Sequence, residues 1–211
     1  MNVKEKEMFC PQCRCEFPAW IRVCPDCKVP LTGELPPSPE YVDKTLSYDA
    51  LVDMVRKNGN QLKIDLVATE VGRDRKWGFP YMGYGFAWTK RMKGTFDTIS
   101  VDLITTEVGM EKKWGFPYRG YGFAWAKRMK GYIGGNEITL TAKKVSMEKK
   151  WGFPYQGYGH AWAQGMSGEC GSLLKADFET TKVGRETKWG FPYMGYGYAW
   201  AQEGILTVTR R

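Results

Sequence analysis

The stretch Lys76–Trp88 reads KWGFPYMGYGFAW, and it returns as KWGFPYRGYGFAW at Lys113–Trp125, KWGFPYQGYGHAW at Lys150–Trp162 and KWGFPYMGYGYAW at Lys188–Trp200. The opening tryptophans are 37, 37 and 38 residues apart. A fixed period of this size marks a tandem array in which each copy is one supersecondary unit. The repeats span about 61–94, 98–131, 135–168 and 172–208.

Working back from each motif, apolar and polar residues alternate. Ile64, Leu66 and Ala68 are interleaved with Lys63 and Asp65, and Ile138, Leu140 and Ala142 with Thr139 and Thr141. Period two is the signature of a strand with one buried and one wet face. The second half of the motif alternates as well, with Tyr84, Phe86 and Trp88 on one face and Gly85 and Ala87 on the other. Small residues at every second position let a backbone, a neighbouring sheet or a ligand come close. Between the halves, Gly78, Pro80 and Gly83 give an ordered loop. Two strands per repeat predict eight strands, mostly antiparallel, joined by short turns at Gly94-Thr95, Gly134-Gly135 and the SGECGS segment. The expected fold is mainly β, an eight-stranded antiparallel barrel-like domain that removes exposed sheet edges; a two-sheet β-sandwich is the alternative.

Upstream, Ser47 is a candidate N-cap. Tyr48, Leu51, Val52 and Val55 follow at helical spacing, and Asn58-Gly59 supplies a stop. This predicts a short amphipathic helix that covers one open end or edge of the repeat domain. Residues 46–211 therefore read as helix plus four-repeat β domain. Three prolines between 32 and 45 make that segment an extended linker.

Residues 8–31 carry a different chemistry. Cys10-Pro-Gln-Cys13 and Cys24-Pro-Asp-Cys27 are two C-x-x-C knuckles, the layout that brings four thiolates to one tetrahedral Zn2+. A segment this short cannot bury a core of its own, so the metal would supply most of its folding free energy. The alternative, disulfides or a redox dithiol, fits poorly with a start, MNVKEKEMF, that lacks a signal-peptide apolar stretch. Cys15 and Cys170 fall outside the spacing and read as ordinary thiols. The run MFCPQCRCEFPAWIRVCPDCKVPLTGELPP resembles the short zinc ribbons at the N-termini of many small prokaryotic proteins. That resemblance carries over Cys10, Cys13, Cys24 and Cys27 as ligands, in a module that serves nucleic-acid binding, protein docking and structural capping alike.

The 211 residues are 43% apolar and carry a net charge of +8, with a pI near 9.1. A basic balance favours acidic partners such as nucleic acid. No run of 18 apolar residues occurs, and the chain reads as cytoplasmic. The cations are uneven. Lys90-Arg91-Met92-Lys93 and Lys127-Arg128-Met129-Lys130 are matched in the later repeats by Gln164-Gly165-Met166-Ser167 and Gln202-Glu203-Gly204, which predicts a positive patch on one half of the array.

The Lys76-Trp77 pair followed by Gly83-Tyr84-Gly85-Phe86 looks like the K-W-x5-G-[FY]-G-F pattern of cold-shock domains, and the match recurs at Lys113–Phe123. The likeness implies single-stranded nucleic acid as ligand, with Trp77, Tyr84 and Phe86 stacking on bases and Lys76, Arg91 and Lys93 reaching phosphates. The candidate nucleic-acid-binding residues are Lys76, Trp77, Tyr81, Lys90, Arg91, Lys93, Lys113, Trp114, Tyr118, Arg119, Lys127, Arg128 and Lys130. The competing reading makes Trp88, Trp125, Trp162 and Trp200 a layered aromatic core, in a structural or protein-interaction module, as a subunit of a larger assembly for example. An enzyme is disfavoured. The one histidine, His160, stands where other repeats have Phe86, Phe123 and Tyr198, no carboxylate is invariant across the four motifs, and no P-loop is present.

Overall fold

The computed structural model describes residues 46–211 apart from 79–81, 116–118, 153–155 and 191–193, and before them residues 8–9, 16–17, 21–23 and 29–33; at 9, 16–17, 76–84, 114–120, 151–157 and 188–196 no side chain is described. The chain divides into two compact units, Met1–Val42 and Asp43–Arg211.

In the first unit, β1 (Met8–Phe9) pairs antiparallel with β2 (Glu16–Phe17), and Val23 bridges Pro30. Leu31 donates its N–H to the Arg22 carbonyl at 2.9 Å and is buried among Met8, Ile21 and Val29. The cysteine knuckles themselves, Cys10, Cys13, Cys24 and Cys27, lie outside the described residues.

The second unit opens with α1 (Tyr48–Lys57). Ser47 caps it by accepting from the Ala50 N–H, Asn58 closes it, and Gly59 follows at φ +73°, as the capping pattern predicts. Eight long strands come next: β3 (Gln61–Gly78), β4 (Met82–Phe96), β5 (Ile99–Gly115), β6 (Arg119–Ile133), β7 (Asn136–Gly152), β8 (Gln156–Cys170), β9 (Leu174–Gly190) and β10 (Met194–Arg210). They form a closed antiparallel barrel in sequential order, with β10 returning to β3. The barrel expectation holds, and the sandwich falls away.

Each repeat is one long hairpin, β3–β4, β5–β6, β7–β8 or β9–β10. Neighbouring hairpins pair over less than half of that length. β4 meets β5 only from Arg91↔Ile104 to Phe96↔Ile99, while β3 and β4 stay paired as far as Gly78↔Met82. Strands of 15 to 18 residues run about 50–60 Å at roughly 3.3 Å per residue, so a closed barrel at one end continues into four hairpins at the other. Each ladder breaks register once at the transition, near Glu70, Glu107, Lys144 and Glu203.

The barrel interior is built in layers by equivalent residues. Leu66, Leu103, Leu140 and Phe178 form one layer, and Ile64, Val101, Ile138 and Ala176 the next. Full burial of such a side chain contributes about 1.5–3 kcal/mol. Leu51 and Val55 of α1 are fully buried in the same core. The Leu46 N–H donates to the Gly134 carbonyl, and the Tyr48 hydroxyl donates to the Cys170 carbonyl while accepting from the Leu173 N–H. The helix thus covers the short-turn end of the barrel. Outward positions carry Lys63, Asp65, Lys93 and Lys130, so apolar lies within and charge without, the reverse of a membrane-spanning barrel. Among the described residues no helix is long and apolar enough to cross a membrane.

One of the expected turns forms and one does not. Gly134 and Gly135, both at positive φ, do form the β6–β7 turn. Gly94-Thr95 does not turn. β4 continues to Phe96, and the turn falls at Asp97 (φ +53°) and Thr98. A Cβ at Gly94 would sit 2.1 Å from the Asp65 carbonyl oxygen, and one at Gly131 would sit 1.7 Å from that of Asp102. These glycines serve close backbone approach inside the barrel rather than reversal.

Candidate nucleic-acid interface

The four inner strands, β4, β6, β8 and β10, carry the GYGFAW half of the motif, and beyond the barrel they pack face to face. Phe86 lies on Ala124 and 3.1 Å from where a Cβ at Gly122 would be. Phe123 lies on Ala161 and against Gly159, His160 against Gly197, and Tyr198 on Ala87, which closes the ring. The large face of each repeat covers the small face of the next, in a four-bladed pinwheel. The close approach written into the alternation is therefore to a neighbouring strand.

This corrects the roles implied by the cold-shock likeness for part of the motif. Phe86 and Phe123 are 1% exposed and Tyr121 2%, so none of them is open for a base to stack on. Trp162 is buried, and Trp88, Trp125 and Trp200 are half-buried. Together with Met92, Met129 and Met166 they ring a void of about 10 Å³ where barrel and hairpins meet, at the lower limit for one water molecule. Each indole lies over the partner strand where side chains are small: Trp88 over Gly72, Trp125 over Gly109 and Trp200 over Gly184. In repeat three Ser146 takes that place, and Trp162 Nε1 donates to Gln164 Oε1 at 2.9 Å.

The side chains of Lys76, Trp77, Tyr81, Trp114, Tyr118 and Arg119 lie outside the described residues. The other candidates divide between two places. Lys113 is on the hairpin part of β5, 3.1 Å from Glu111 and 5.8 Å from the Phe123 ring centroid. Lys90, Arg91 and Lys93 of β4 and Lys127, Arg128 and Lys130 of β6 share the barrel's outer wall.

On that wall the cations are interleaved with acids. Lys90 Nζ is 2.9 Å from Glu70, Arg91 binds Asp102 and stands 3.5 Å from Glu70, and Lys93 is 3.7 Å from Asp102. Lys127 and Arg128 both pair with Glu107. Hydrogen bonding to Arg91 holds the Asp102 carboxyl below its ordinary range, and Lys90 and Lys127 do the same for Glu70 and Glu107. The contrast between the two halves of the array is accordingly weaker than the motif comparison implies, because the balancing acids stand on the partner strands. Lys130 has no ion pair among the described residues.

A second set of polar residues escaped the motif comparison because it precedes each opening tryptophan. Asp74, Glu111, Glu148 and Glu186 all stand three residues before it. Arg73 is 2.9 Å from Glu186 and 5.7 Å from the Trp200 ring centroid, both of the preceding repeat. Arg185 repeats this with Glu148 at 3.0 Å and Trp162 at 5.4 Å. An arginine thus bridges each of two seams, where Met110 and Met147 hold the same position at the others.

Hydroxyls seal the seams at the register breaks. Thr105 donates to the Thr89 carbonyl and Thr180 to the Ala163 carbonyl, both at 2.6 Å, and Thr89 donates to the Ala201 carbonyl at 2.7 Å. Among the described residues no group of three His, Cys, Asp or Glu side chains could hold a metal ion. The chain matches no protein-family model, no curated protein and no solved structure.

Proposed function

We propose that this chain is a non-enzymatic nucleic-acid-binding protein that engages single-stranded or structured RNA or DNA along the outer wall of its barrel. The observation that carries the reading is the recurrence of lysine and arginine at one height on β4 and β6, all exposed but the half-buried Arg91, two strand spacings or about 10 Å apart. Rows of cations at that separation can follow a phosphate backbone, and the basic net charge would steer it there. The loop aromatics Trp77, Tyr81, Trp114 and Tyr118 add stacking in this reading. Their motif partners are consumed by the core.

The N-terminal unit is read as a Zn2+ module held by Cys10, Cys13, Cys24 and Cys27. Support comes from the residues around the knuckles: β1 and β2 pair on either side of the first, and Val23 and Pro30 pair on either side of the second. Zn2+ there would be structural, holding four thiolates and supplying folding energy.

A second reading, a protein-interaction module of a larger assembly, is favoured by one observation. The pinwheel packing of Phe86, Phe123 and Tyr198 already explains why the motif repeats, with no ligand needed. Titrating intrinsic tryptophan fluorescence with single-stranded RNA and DNA at about 50 and 200 mM salt separates the two. Quenching that weakens steeply with salt, and that is lost when Lys90, Arg91 and Lys93 become Glu, is the expected result. No response at either salt leaves the interaction module.

A further inference from the structure

The geometry points to the outer face of β7, bordered by Lys130 of β6, as a further place where the protein holds phosphate groups; this rests on the nucleic-acid reading and extends it into repeat three. At one outward position three repeats carry an acid that repeat three lacks, and at a second the other three repeats form an acid–base pair across the hairpin that repeat three does not. The first is the outward site twelve residues before the opening tryptophan, occupied by Asp65, Asp102 and Asp177 but by Thr139 in repeat three. Lys93 faces Asp102 across the β4–β5 ladder and pairs with it, whereas Lys130 faces Thr139 across β6–β7 and has no ion pair among the described residues.

The second position is the register break. Glu70 faces Lys90 and Arg91, Glu107 faces Lys127 and Arg128, and Lys182 pairs with Glu203 at 2.6 Å. In repeat three Lys144 stands there, opposite Gly165, with Gln164 beside it. Lys143 and Lys144 are both exposed and form no ion pair among the described residues. Glu179 of β9 lies across Gly165 but pairs with neither lysine. Asp177 is taken by Lys175 and Ser167, and Glu169 by Arg211.

The outer face of β7 therefore offers cations that no neighbouring carboxylate occupies: Lys130 faces Thr139, which with Thr141 and Ser167 lines a groove of about 720 Å³, and Lys143 and Lys144 share Ser167 with it in a second groove of about 380 Å³. Exposed lysines with adjacent hydroxyl donors are the usual equipment for phosphate oxygens. Cations already paired to Glu70, Asp102 or Glu107 must break those pairs before binding. Lys130, Lys143 and Lys144 need not. Glu137 and Glu169 both line the first groove and would repel phosphates from it toward the second, where the lysines stand.

The test uses full-length chain with two probes, an oligouridylate and inorganic polyphosphate, at about 50 and 200 mM salt. The variants are Thr139→Asp, which supplies the missing acid, and Lys143→Glu with Lys144→Glu, all at exposed or half-exposed positions. Losses of about tenfold in oligouridylate affinity and a shallower salt slope are expected for each. If oligouridylate binds all forms equally, the phosphate seam is wrong and the nucleic-acid reading stands. If only polyphosphate binds, and the variants lose it, the seam stands and the nucleic-acid reading falls. Binding of neither probe by the unmodified chain overturns both.

Discussion

His160 stands directly opposite Glu148 across the β7–β8 ladder, and neither of its ring nitrogens has a hydrogen-bond partner among the described residues. The equivalent Tyr198 is met by Arg75 of the next repeat, whose Nε donates to the phenol oxygen at 2.9 Å. Thr187 holds the place of Arg75 in the repeat that follows His160, and it is too short to do the same. A buried imidazole is left among Glu148 and Lys150 of β7, Arg185 of β9 and the Tyr158 ring of its own strand.

Burial, joined by the charge of Arg185, lowers the His160 pKa below its ordinary value. The unfolded chain therefore takes up a proton before the folded one does. The sign follows: this group's contribution to stability is complete above about pH 6.5 and is lost as pH falls from there toward the folded pKa. Melting temperature should drop between neutral and mildly acid pH. In His160→Phe, which restores the residue of repeats one and two, that part of the drop should vanish. The removal of an unpartnered buried polar group should also raise stability at neutral pH by about 1–3 kcal/mol. Equal pH profiles for the two proteins would refute the assignment.

The pinwheel ranks its aromatics. Phe123 is 1% exposed and wedged against Ala161 and Gly159, whereas Trp88 is half-buried over Gly72. Phe123→Ala should cost about 3–5 kcal/mol in urea unfolding, and Trp88→Ala less than that, although its side chain is larger. A Cβ at Gly159 would sit 2.7 Å from the Gly122 carbonyl oxygen. Gly159→Val should therefore be as damaging as Phe123→Ala; a mild effect would mean that the inner strands are not in contact.

Much of this architecture is legible in the sequence. The period, the alternation along Ile64–Ala68 and the caps at Ser47 and Asn58 each follow from local chemistry, and the barrel follows from their repetition. Gly94, by contrast, reads as a turn residue in the sequence and is a strand residue in the barrel, since a glycine beside threonine looks the same whether it reverses the chain or admits a backbone. The alternation of Phe86 with Gly85 and Ala87 announced a close approach without saying to what. The ion pairs of Lys90, Arg91 and Lys127 were hidden for another reason: their acids are some twenty residues distant in sequence and adjacent only through strand pairing.

The seam hydroxyls make a paired prediction. Thr180 is 6% exposed and its hydroxyl donates to the Ala163 carbonyl, so Thr180→Val should cost about 1–3 kcal/mol by leaving that carbonyl unmet. Repeat three carries Ala142 where repeats two and four carry Thr105 and Thr180. Ala142→Thr should supply the equivalent donor and stabilise by about 0.5–1.5 kcal/mol, read from the shift in urea midpoint at constant slope. Destabilisation by Ala142→Thr would show that the four seams are not equivalent at this level.

The cysteine module predicts a separable metal dependence. Zinc content should be one ion per chain and should fall when any of Cys10, Cys13, Cys24 or Cys27 becomes Ser. A chelator should open residues 8–31 to proteolysis, because a segment of this size has Leu31, Met8, Ile21 and Val29 as its described apolar cluster and little else to hold it. The barrel buries its own layered core and closes its own end with α1, so its melting transition should persist in the chelator-treated protein. Chelation that leaves 8–31 protected, or a purified chain without zinc, would remove the metal from the account. Loss of the barrel transition on chelation would instead mean that the two units fold as one.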